Sequence, residues 1–187
     1  MHIVYMGAGF VGACSAAVSA DSGHKVLAFD IDAERVRKLS SLDKSTIESC
    51  LHEDGLAELI IKHQSRLVFT HDVGLLTDML EHAEAVFMCL PTPEREDGSS
   101  DLTYFTKATE MLGAILVKRN GGAQSQRVLI INKSTVPIDT IDLSKRILEP
   151  MGVKNFGIAS NPEFLVEGKA VHDSIHPERV IVGAETP

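Results

Sequence analysis

A glycine-rich turn near the N-terminus constrains the fold more than any other feature of this sequence. The run Gly7-Ala8-Gly9-Phe10-Val11-Gly12 matches the pattern GxGxxG, directly after a short apolar segment and before a run of small residues. A strand before such a turn and a helix after it are the context in which the pattern holds a dinucleotide. Gly7 permits the tight turn, Gly9 admits a pyrophosphate, and Gly12 lets the helix pack closely. The alternative is a tight turn without a ligand.

An acidic residue after the second predicted strand indicates which dinucleotide would bind. Asp30 follows Lys25–Phe29, about 20 residues beyond the glycines, where a carboxylate accepts hydrogen bonds from the adenosine ribose. It would repel a 2′-phosphate, which favours NAD over NADP. Arg35 works against this preference, because a nearby base can shield a phosphate. Asp30 could instead only cap the next helix.

Apolar runs alternate with amphipathic segments along the chain. The predicted strands are Ile3–Met6, Lys25–Phe29, Leu67–Phe69, Ala85–Leu90, Val128–Ile131, Phe156–Ala159 and Val180–Val182. The predicted helices are Phe10–Ser22, Asp32–Ser41, Leu56–His63, Val73–His82, Leu102–Lys118, Asp139–Leu148 and a short one near Glu163–Ala170, with a turn at Asn120–Gln126. This order predicts an α/β fold in one domain over residues 1–187. The expected architecture is Rossmann-like: a doubly wound, mostly parallel sheet with helices on both faces.

Charge and composition exclude several classes of function. The net charge is −8, with 26 acidic and 18 basic residues, which disfavours binding to nucleic acid. The mean hydropathy is +0.06, and no apolar run has the ~20 residues of a membrane span. The three cysteines are widely spaced and the N-terminus lacks the features of a signal peptide, so we expect a cytoplasmic protein. The cysteines form no CxxC pair, and we expect no metal site.

Polar loops follow three of the predicted strands. Pro91-Thr92-Pro93 comes after the strand that ends at Leu90, Ser134-Thr135-Val136 after Val128–Ile131, and Glu163–Glu167 after Phe156–Ala159. Ligands of open α/β sheets bind beyond the carboxyl ends of the strands, so we expect these loops to meet at one site.

The loops contain candidate catalytic groups. The Thr135 hydroxyl could hold a water molecule or a substrate hydroxyl. Glu163 and Glu167 are four residues apart and would lie on one face of a helix if Glu163 opens it. One of them could then act as a general base while the other orients cofactor or substrate. The alternatives are that Thr135 only caps a turn and that Glu167 is a solvated helix residue.

Together, these segments resemble those of the UDP-glucose/GDP-mannose dehydrogenase family. The resemblance covers nearly the whole chain and is carried by GAGFVG, PTPEREDGSSDL, NKSTVP, SNPEFLVEG, Asp173 and Pro177–Gly183, with a weaker stretch at His52–Leu56. It implies two successive NAD-dependent hydride transfers that take a nucleotide-sugar alcohol at C6 to a carboxylate, with UDP-glucose as the first candidate substrate. The sequence departs from the usual family pattern at Asp54, Pro91 and Asp139.

The resemblance also implies roles for individual residues. Glu163 and Thr135 would be catalytic, with Glu163 as acid/base and Thr135 placing a water molecule. The implied cofactor-binding residues are Gly7, Ala8, Gly9, Phe10, Val11, Gly12, Asp30, Arg35, Leu90, Pro91, Thr92, Pro93, Ser134, Thr135, Val136 and Glu167. The implied substrate-binding residues are Glu163, Phe164, Leu165, Val166 and Glu167.

The resemblance further implies parts that this sequence does not contain. In the family, a cysteine nucleophile, a lysine, an asparagine, a central helix and a UDP-binding domain come later in the chain. We therefore expect the chain to bind NAD without completing turnover, and the full-length protein to form a homo-oligomer. Two other functions stay open: a related GDP-mannose or UDP-N-acetylhexosamine dehydrogenase, and a non-catalytic Rossmann module that senses NAD(H).

Overall fold

The computed structural model describes residues 1–119, 126–134 and 140–184, and places seven strands and eight helices within them. The strands are β1 (His2–Met6), β2 (Lys25–Phe29), β3 (Leu67–Thr70), β4 (Ala85–Met88), β5 (Val128–Asn132), β6 (Phe156–Ser160) and β7 (Gly183–Ala184). The helices are α1 (Phe10–Asp21), α2 (Ala33–Leu39), α3 (Lys44–Cys50), α4 (Leu56–Lys62), α5 (Val73–Leu80), α6 (Thr103–Arg119), α7 (Thr140–Leu148) and α8 (Ala170–Ile175).

The seven strands form one sheet in the order β3-β2-β1-β4-β5-β6-β7. Each neighbouring pair is parallel except β6 and β7. The chain proceeds outward from β1 through β2 to β3, and then returns to start β4 on the other side of β1. The strand order therefore reverses between β1 and β4. Ligands of this architecture bind at this switch point, beyond the carboxyl ends of the two strands. The predicted α/β, doubly wound, mostly parallel fold is confirmed.

Helices cover both faces of the sheet and divide the core into two layers. On one face, β1–β3 pack against α1, α2 and α4, where α1 contributes a run of buried alanines such as Ala13, Ala16 and Ala17. On the other face, α5, α6 and α7 pack against the sheet through side chains that include Leu76, Leu112 and Leu148. The small residues of α1 let this helix lie close to the sheet, which brings its N-terminus to the carboxyl edge of β1.

Two predicted elements near the C-terminus are wrong. Residues 161–166 are irregular, and the helix of this region begins only at Ala170. Gly168 has a φ of +87°, a left-handed conformation that ends any helix started at Glu163. The last strand is Gly183–Ala184 rather than Val180–Val182.

Helix α3 was not predicted from the sequence. Its N-cap Asp43 accepts hydrogen bonds from the Thr46 backbone N–H at 2.8 Å and the Thr46 hydroxyl at 2.7 Å. It buries only Ile47, so it has no apolar periodicity to reveal it. The remaining predicted helices and strands are confirmed, with ends that move by one or two residues. The predicted turn at Asn120–Gln126 and the start of the helix at Asp139 lie outside the described residues, Gln126 excepted.

Candidate functional site

A cavity of about 740 Å³ opens at the switch point between β1 and β4; we call it the first cavity. It brings together side chains from the glycine turn, from the segment after β2 and from the three polar loops. The predicted site residues among its lining are Gly7, Gly9, Phe10, Val11, Gly12, Asp30, Arg35, Leu90, Pro91, Thr92, Ser134 and Glu163. Ala8 is buried beneath the turn. Pro93 lines a separate hollow beside the acidic segment Glu94–Asp101, and Thr135 and Val136 lie outside the described residues.

The three glycines of the turn have different steric surroundings. A Cβ atom on Gly7 would lie 2.2 Å from the carbonyl oxygen of Cys89, and one on Gly12 would lie 2.0 Å from that of Gly7. Gly7 also has a φ of +103°. A Cβ atom on Gly9, in contrast, would meet nothing within 4 Å. Gly9 is the N-cap of α1, so the open space above it faces unpaired N–H groups and fits a pyrophosphate.

Asp30 is held in place by three hydrogen bonds. Its Oδ2 accepts from the Ala8 backbone N–H at 2.7 Å and from Arg35 Nη1 at 3.0 Å, while its Oδ1 accepts from the Asp32 N–H at 2.9 Å. The carboxylate is 7% exposed and thus fixed between the glycine turn and α2. Asp32, not Asp30, caps α2, by accepting from the N–H groups of Glu34 and Arg35. These three bonds leave about one of the four acceptor positions of the carboxylate, on Oδ1, for a ligand in the cavity.

Arg35 is engaged by the two carboxylates beside it. Its guanidinium lies 3.0 Å from Asp30 and 3.7 Å from Asp32. Two acids around one base leave this end of the cavity negative, which disfavours a 2′-phosphate. The geometry therefore supports NAD rather than NADP.

The ends of β4 and β5 are tied together by Ser134. The Leu90 backbone N–H donates to Ser134 Oγ at 2.7 Å, and this hydroxyl donates to the Met88 carbonyl at 3.1 Å. The tie fixes the loop that carries Pro91 and Thr92 against the start of the loop after β5. Ser134 thus shapes the wall of the first cavity opposite Asp30.

A second cavity, of about 820 Å³, lies beside the first on the same edge of the sheet. Its lining includes the predicted substrate-binding residues Phe164, Leu165 and Val166, together with Tyr5 and Phe87 from the sheet. Two residues, Lys133 and Glu163, line both cavities. They form a shared wall between the space above the glycine turn and the space beneath the 161–180 segment.

The two glutamates of the loop after β6 are not brought together on one helix face. Glu163 is half-buried, and its Oε2 accepts a short hydrogen bond from the Leu165 N–H. Glu167 is exposed and lines neither cavity. The prediction of a shared helix face is wrong because the segment between them is not helical, as described above. Phe164 contacts the Arg179 guanidinium, whose central carbon lies 4.2 Å from the ring centroid.

The carboxylate of Glu53, which was not predicted as a site residue, anchors the loop that carries Glu163. Glu53 is 4% exposed, and its two oxygens accept from the backbone N–H groups of Gly168 at 2.9 Å and Ala170 at 3.0 Å. Asp173 Oδ2 holds the Val166 N–H at 3.1 Å. The local sequence around Glu53 carries no signal of these contacts beyond its place in the His52–Leu56 stretch.

The three cysteines have thiols that favour the protonated form. Burial is the largest cause of the raised pKa of Cys89, which is about 12. It also raises the pKa of Cys14, and that of the less buried Cys50. A thiol needs a lowered pKa to act as a nucleophile near neutral pH. These three side chains therefore lack the reactivity of a catalytic cysteine.

No described helix has the length and apolar character that crossing a membrane requires. Across the ranges 1–119, 126–134 and 140–184, no group of three or more histidine, cysteine, aspartate or glutamate side chains is placed to hold a metal ion.

The fold and the first cavity define a dinucleotide-binding domain of the doubly wound class. Comparison with known sequences specifies it further, because residues 1–187 match the NAD binding domain of the UDP-glucose/GDP-mannose dehydrogenase family. The chain belongs to this family, whose domain here binds NAD. The resemblance seen in the sequence is thereby confirmed.

Individual relatives align with all or nearly all of this chain. It is 40% identical to a UDP-glucose 6-dehydrogenase of Pseudomonas aeruginosa, over 100% of this chain and 39% of the relative. It is 36% identical to UDP-glucose 6-dehydrogenase TuaD of Bacillus subtilis, over 97% of this chain and 37% of the relative. The chain therefore spans about two fifths of the length of these relatives.

Solved structures of the family have the same fold. A ternary complex of GDP-mannose dehydrogenase from Pseudomonas aeruginosa superposes with a TM-score of 0.85 at 26% identity, over 99% of this chain and 41% of that one. A UDP-glucose dehydrogenase from Pyrobaculum islandicum gives 0.84 at 32% identity, over 98% and 40%. Both are similar to this chain along nearly its full length.

Proposed function

We propose that this chain is the NAD-binding domain of an enzyme that oxidises the C6 alcohol of a nucleotide sugar to a carboxylate in two NAD-dependent hydride transfers. UDP-glucose is the substrate we expect. The observation that carries the proposal is the position of Glu163 in the wall shared by the two cavities. A carboxylate there can reach a substrate in the second cavity next to a cofactor in the first.

The contacts of the first cavity support one orientation of NAD. A hydroxyl of the adenosine ribose would donate a hydrogen bond to the Asp30 carboxylate, beyond β2. The pyrophosphate would lie over Gly9, against the N-terminus of α1. The nicotinamide would then reach the ends of β5 and β6, where Ser134 and Glu163 line the cavity. On the resemblance, Thr135, Val136, Pro93 and Glu167 would complete this site.

Glu163 is proposed as the acid/base residue of the first oxidation. When a hydride leaves C6 for the nicotinamide, the proton of the C6 hydroxyl must go to a base. Among the described residues, Glu163 is the only carboxylate that lines both cavities. Phe164, Leu165 and Val166 would hold the sugar from the second cavity.

The second oxidation needs a nucleophile that these residues do not supply. The family implies a thioester on cysteine, formed after a thiolate adds to the aldehyde and hydride leaves the adduct. The raised pKa values of Cys14, Cys50 and Cys89 disfavour all three as that thiolate. We therefore propose that a cysteine of a longer protein provides it, and that this protein assembles as a homo-oligomer.

GDP-mannose is the second candidate substrate. The solved GDP-mannose dehydrogenase superposes as well as the UDP-glucose enzyme, with TM-scores of 0.85 and 0.84. Sequence identity favours UDP-glucose, because it reaches 40% with a UDP-glucose 6-dehydrogenase and 26% with the GDP-mannose enzyme.

Turnover assays of the full-length protein test the proposal. We expect NADH to form from UDP-glucose in a ratio of two per sugar, and more slowly from GDP-mannose or a UDP-N-acetylhexosamine. Glu163→Gln should lower kcat by about 100-fold or more while NADH binding changes less than about twofold, and Glu149→Gln, an exposed carboxylate at the end of α7, is the control. A protein that binds NADH but oxidises none of the three sugars would instead be an NAD(H)-sensing module.

A further inference from the structure

Lys133 places an ammonium group in the wall that the two cavities share. The residue directly follows β5, and its backbone N–H donates to the Met88 carbonyl at 3.0 Å. Its side chain lines both cavities, and Nζ lies 3.3 Å from Asn161 Oδ1. An ammonium has three donors, so this bond, the one that Nζ makes to a described residue, leaves two donors to face the cavities.

The orientation of Asn161 fixes where the ammonium sits. The Asn161 backbone N–H donates to the Asn132 carbonyl at 2.8 Å, and its side-chain Nδ2 donates to the Ile181 carbonyl at 2.9 Å. With the amide nitrogen bound to Ile181, the amide oxygen is left for Lys133. The lysine is therefore held by a side chain that is itself anchored at two points.

Within the parts of the chain that the structure describes, no carboxylate forms an ion pair with Lys133. Among the described residues, no acid lies within 4.0 Å of its ammonium. Glu163 shares the wall, but its Oε2 accepts from the Leu165 N–H. Both charges are felt at the Cys89 thiol, whose pKa the Lys133 charge lowers and the Glu163 charge raises. Cys89 lines the first cavity together with Lys133 and Glu163, so the two groups lie near the end of β4, beside the glycine turn.

This position matters because the nicotinamide ring changes its charge. The ring carries a positive charge in NAD⁺ and none in NADH. With the adenosine at Asp30, the ring lies at the β5 and β6 end of the first cavity, next to Lys133. This placement of the ring next to Lys133 rests on the cofactor orientation given under the proposed function. A fixed positive charge destabilises a nearby cation in a poorly solvated site.

We propose that Lys133 sets the relative affinity of the domain for the oxidised and reduced cofactor. Its ammonium weakens binding of NAD⁺ relative to NADH, which makes the bound NAD⁺ a better hydride acceptor. Lys133 is thus a positioning and tuning residue at the nicotinamide end, separate from the acid/base function of Glu163.

Cofactor titrations of the 187-residue chain test this. NADH binding can be followed by its own fluorescence, with little background because the chain has no tryptophan, and NAD⁺ binding by displacement of NADH. In Lys133→Met we expect the ratio of the Kd for NAD⁺ to that for NADH to fall by about three- to tenfold, a size typical of a partly screened charge. Lys133→Arg should keep the ratio of the wild type.

Two further variants separate charge from structure. Lys133→Gln removes the charge but can still bond Asn161, so it should lower the ratio as Lys133→Met does. Lys169→Met removes a lysine that lines only the second cavity and should leave the ratio unchanged. The melting temperature of each variant shows whether the wall is intact.

Several results would overturn the inference. A ratio that stays within about twofold in both Lys133→Met and Lys133→Gln, or equal weakening of the two cofactor forms, would show that Lys133 does not sense the ring charge. If the wild type bound neither form, the inference would fall together with the cofactor orientation. None of these titrations contains a sugar, so failure of the proposed substrate would appear only in the turnover assays.

Discussion

Glu53 binds the backbone N–H of Gly168 at 2.9 Å, although 115 residues separate them in the chain. Its other oxygen binds the Ala170 N–H at 3.0 Å, so one buried carboxylate holds both sides of Lys169. The irregular loop that carries Glu163 ends at this anchor. The loop has no regular secondary structure to order it, so side chains such as Glu53 and Asp173 hold its backbone in place.

Replacing Glu53 with glutamine should loosen this loop. The glutamine amide nitrogen would face an N–H donor, which leaves one buried group unpaired at a cost of about 1–3 kcal/mol. We expect the free energy of unfolding to fall by that amount, and hydrogen exchange of the amides in residues 164–170 to accelerate more than that of the sheet. Glu58→Gln is the matched control, because Glu58 is an exposed partner of Lys44 and should cost less than about 0.5 kcal/mol. If amide hydrogen exchange accelerated equally throughout the chain, Glu53 would not be a specific anchor of this loop.

The glycine turn allows binding and folding to be separated by mutation. Gly9→Ala adds a methyl group that meets nothing within 4 Å, so the fold should stay nearly as stable while NADH affinity drops by about tenfold or more, since the methyl occupies pyrophosphate space. Gly12→Ala forces a Cβ atom to 2.0 Å from the Gly7 carbonyl oxygen. That variant should lose about 1–3 kcal/mol of stability. Urea unfolding and NADH titration of both variants check the pair, and normal NADH binding by Gly9→Ala would argue against a pyrophosphate at this turn.

Asp30 should determine the preference between NADH and NADPH. Asp30→Ala removes the negative charge and leaves the Ala8 N–H without its partner, so NADH binding should weaken. Without that charge Arg35 becomes available to a 2′-phosphate, so we expect the preference for NADH to narrow by about tenfold, or ~1.4 kcal/mol. Glu34→Gln removes a carboxylate on α2, next to Arg35 but outside the first cavity, and should keep the preference. An unchanged preference in Asp30→Ala would remove Asp30 from this role.

Much of the fold could be predicted because its signals are local. The strands of a parallel sheet are buried on both faces and appear as continuous apolar runs, as in Ala85–Leu90. The glycine turn and Asp30 lie within one strand–helix–strand unit, so their spacing alone indicates a joint site. The same locality explains why the helix predicted over Asp32–Ser41 begins within one residue of the observed α2.

The parts that could not be predicted depend on contacts between distant residues. The spacing of Glu163 and Glu167 suggested a helix, but the left-handed Gly168 and its bond to Glu53 produce an irregular loop. Lys133 was not singled out either, because only the fold brings the end of β5 and Asn161 to a wall between two cavities. A short helix such as α3, with one buried side chain, leaves no pattern to detect.

The buried thiol of Cys89 should make the fold less stable in alkali. An unfolded cysteine releases its proton near pH 9.0, whereas burial raises the pKa of Cys89 to about 12. Between these values the unfolded state binds fewer protons than the folded state, so stability falls as pH rises, by at most about 1.4 kcal/mol per pH unit for one group.

Urea unfolding of Cys89→Ala at several pH values from 8 upwards checks this expectation. The variant should lose stability at pH 8 through lost packing, but its decline above pH 9 should be shallower than that of the wild type. Some decline remains because burial also raises the pKa of Cys14. The half-buried Cys50 serves as the control, since Cys50→Ala should keep most of the slope. Parallel curves for wild type and Cys89→Ala would exclude the thiol as the cause.

The wall formed by Lys133 and Glu163 has a thermodynamic consequence. A ligand that moves or neutralises either side chain in one cavity changes the free energy of binding in the other, and linkage requires the same factor in both directions. The two cavities therefore cannot be optimised independently through these residues. A substitution selected in this wall for tighter cofactor binding will alter the affinity for whatever occupies the neighbouring space, and the sign of that change measures how the two ligands interact.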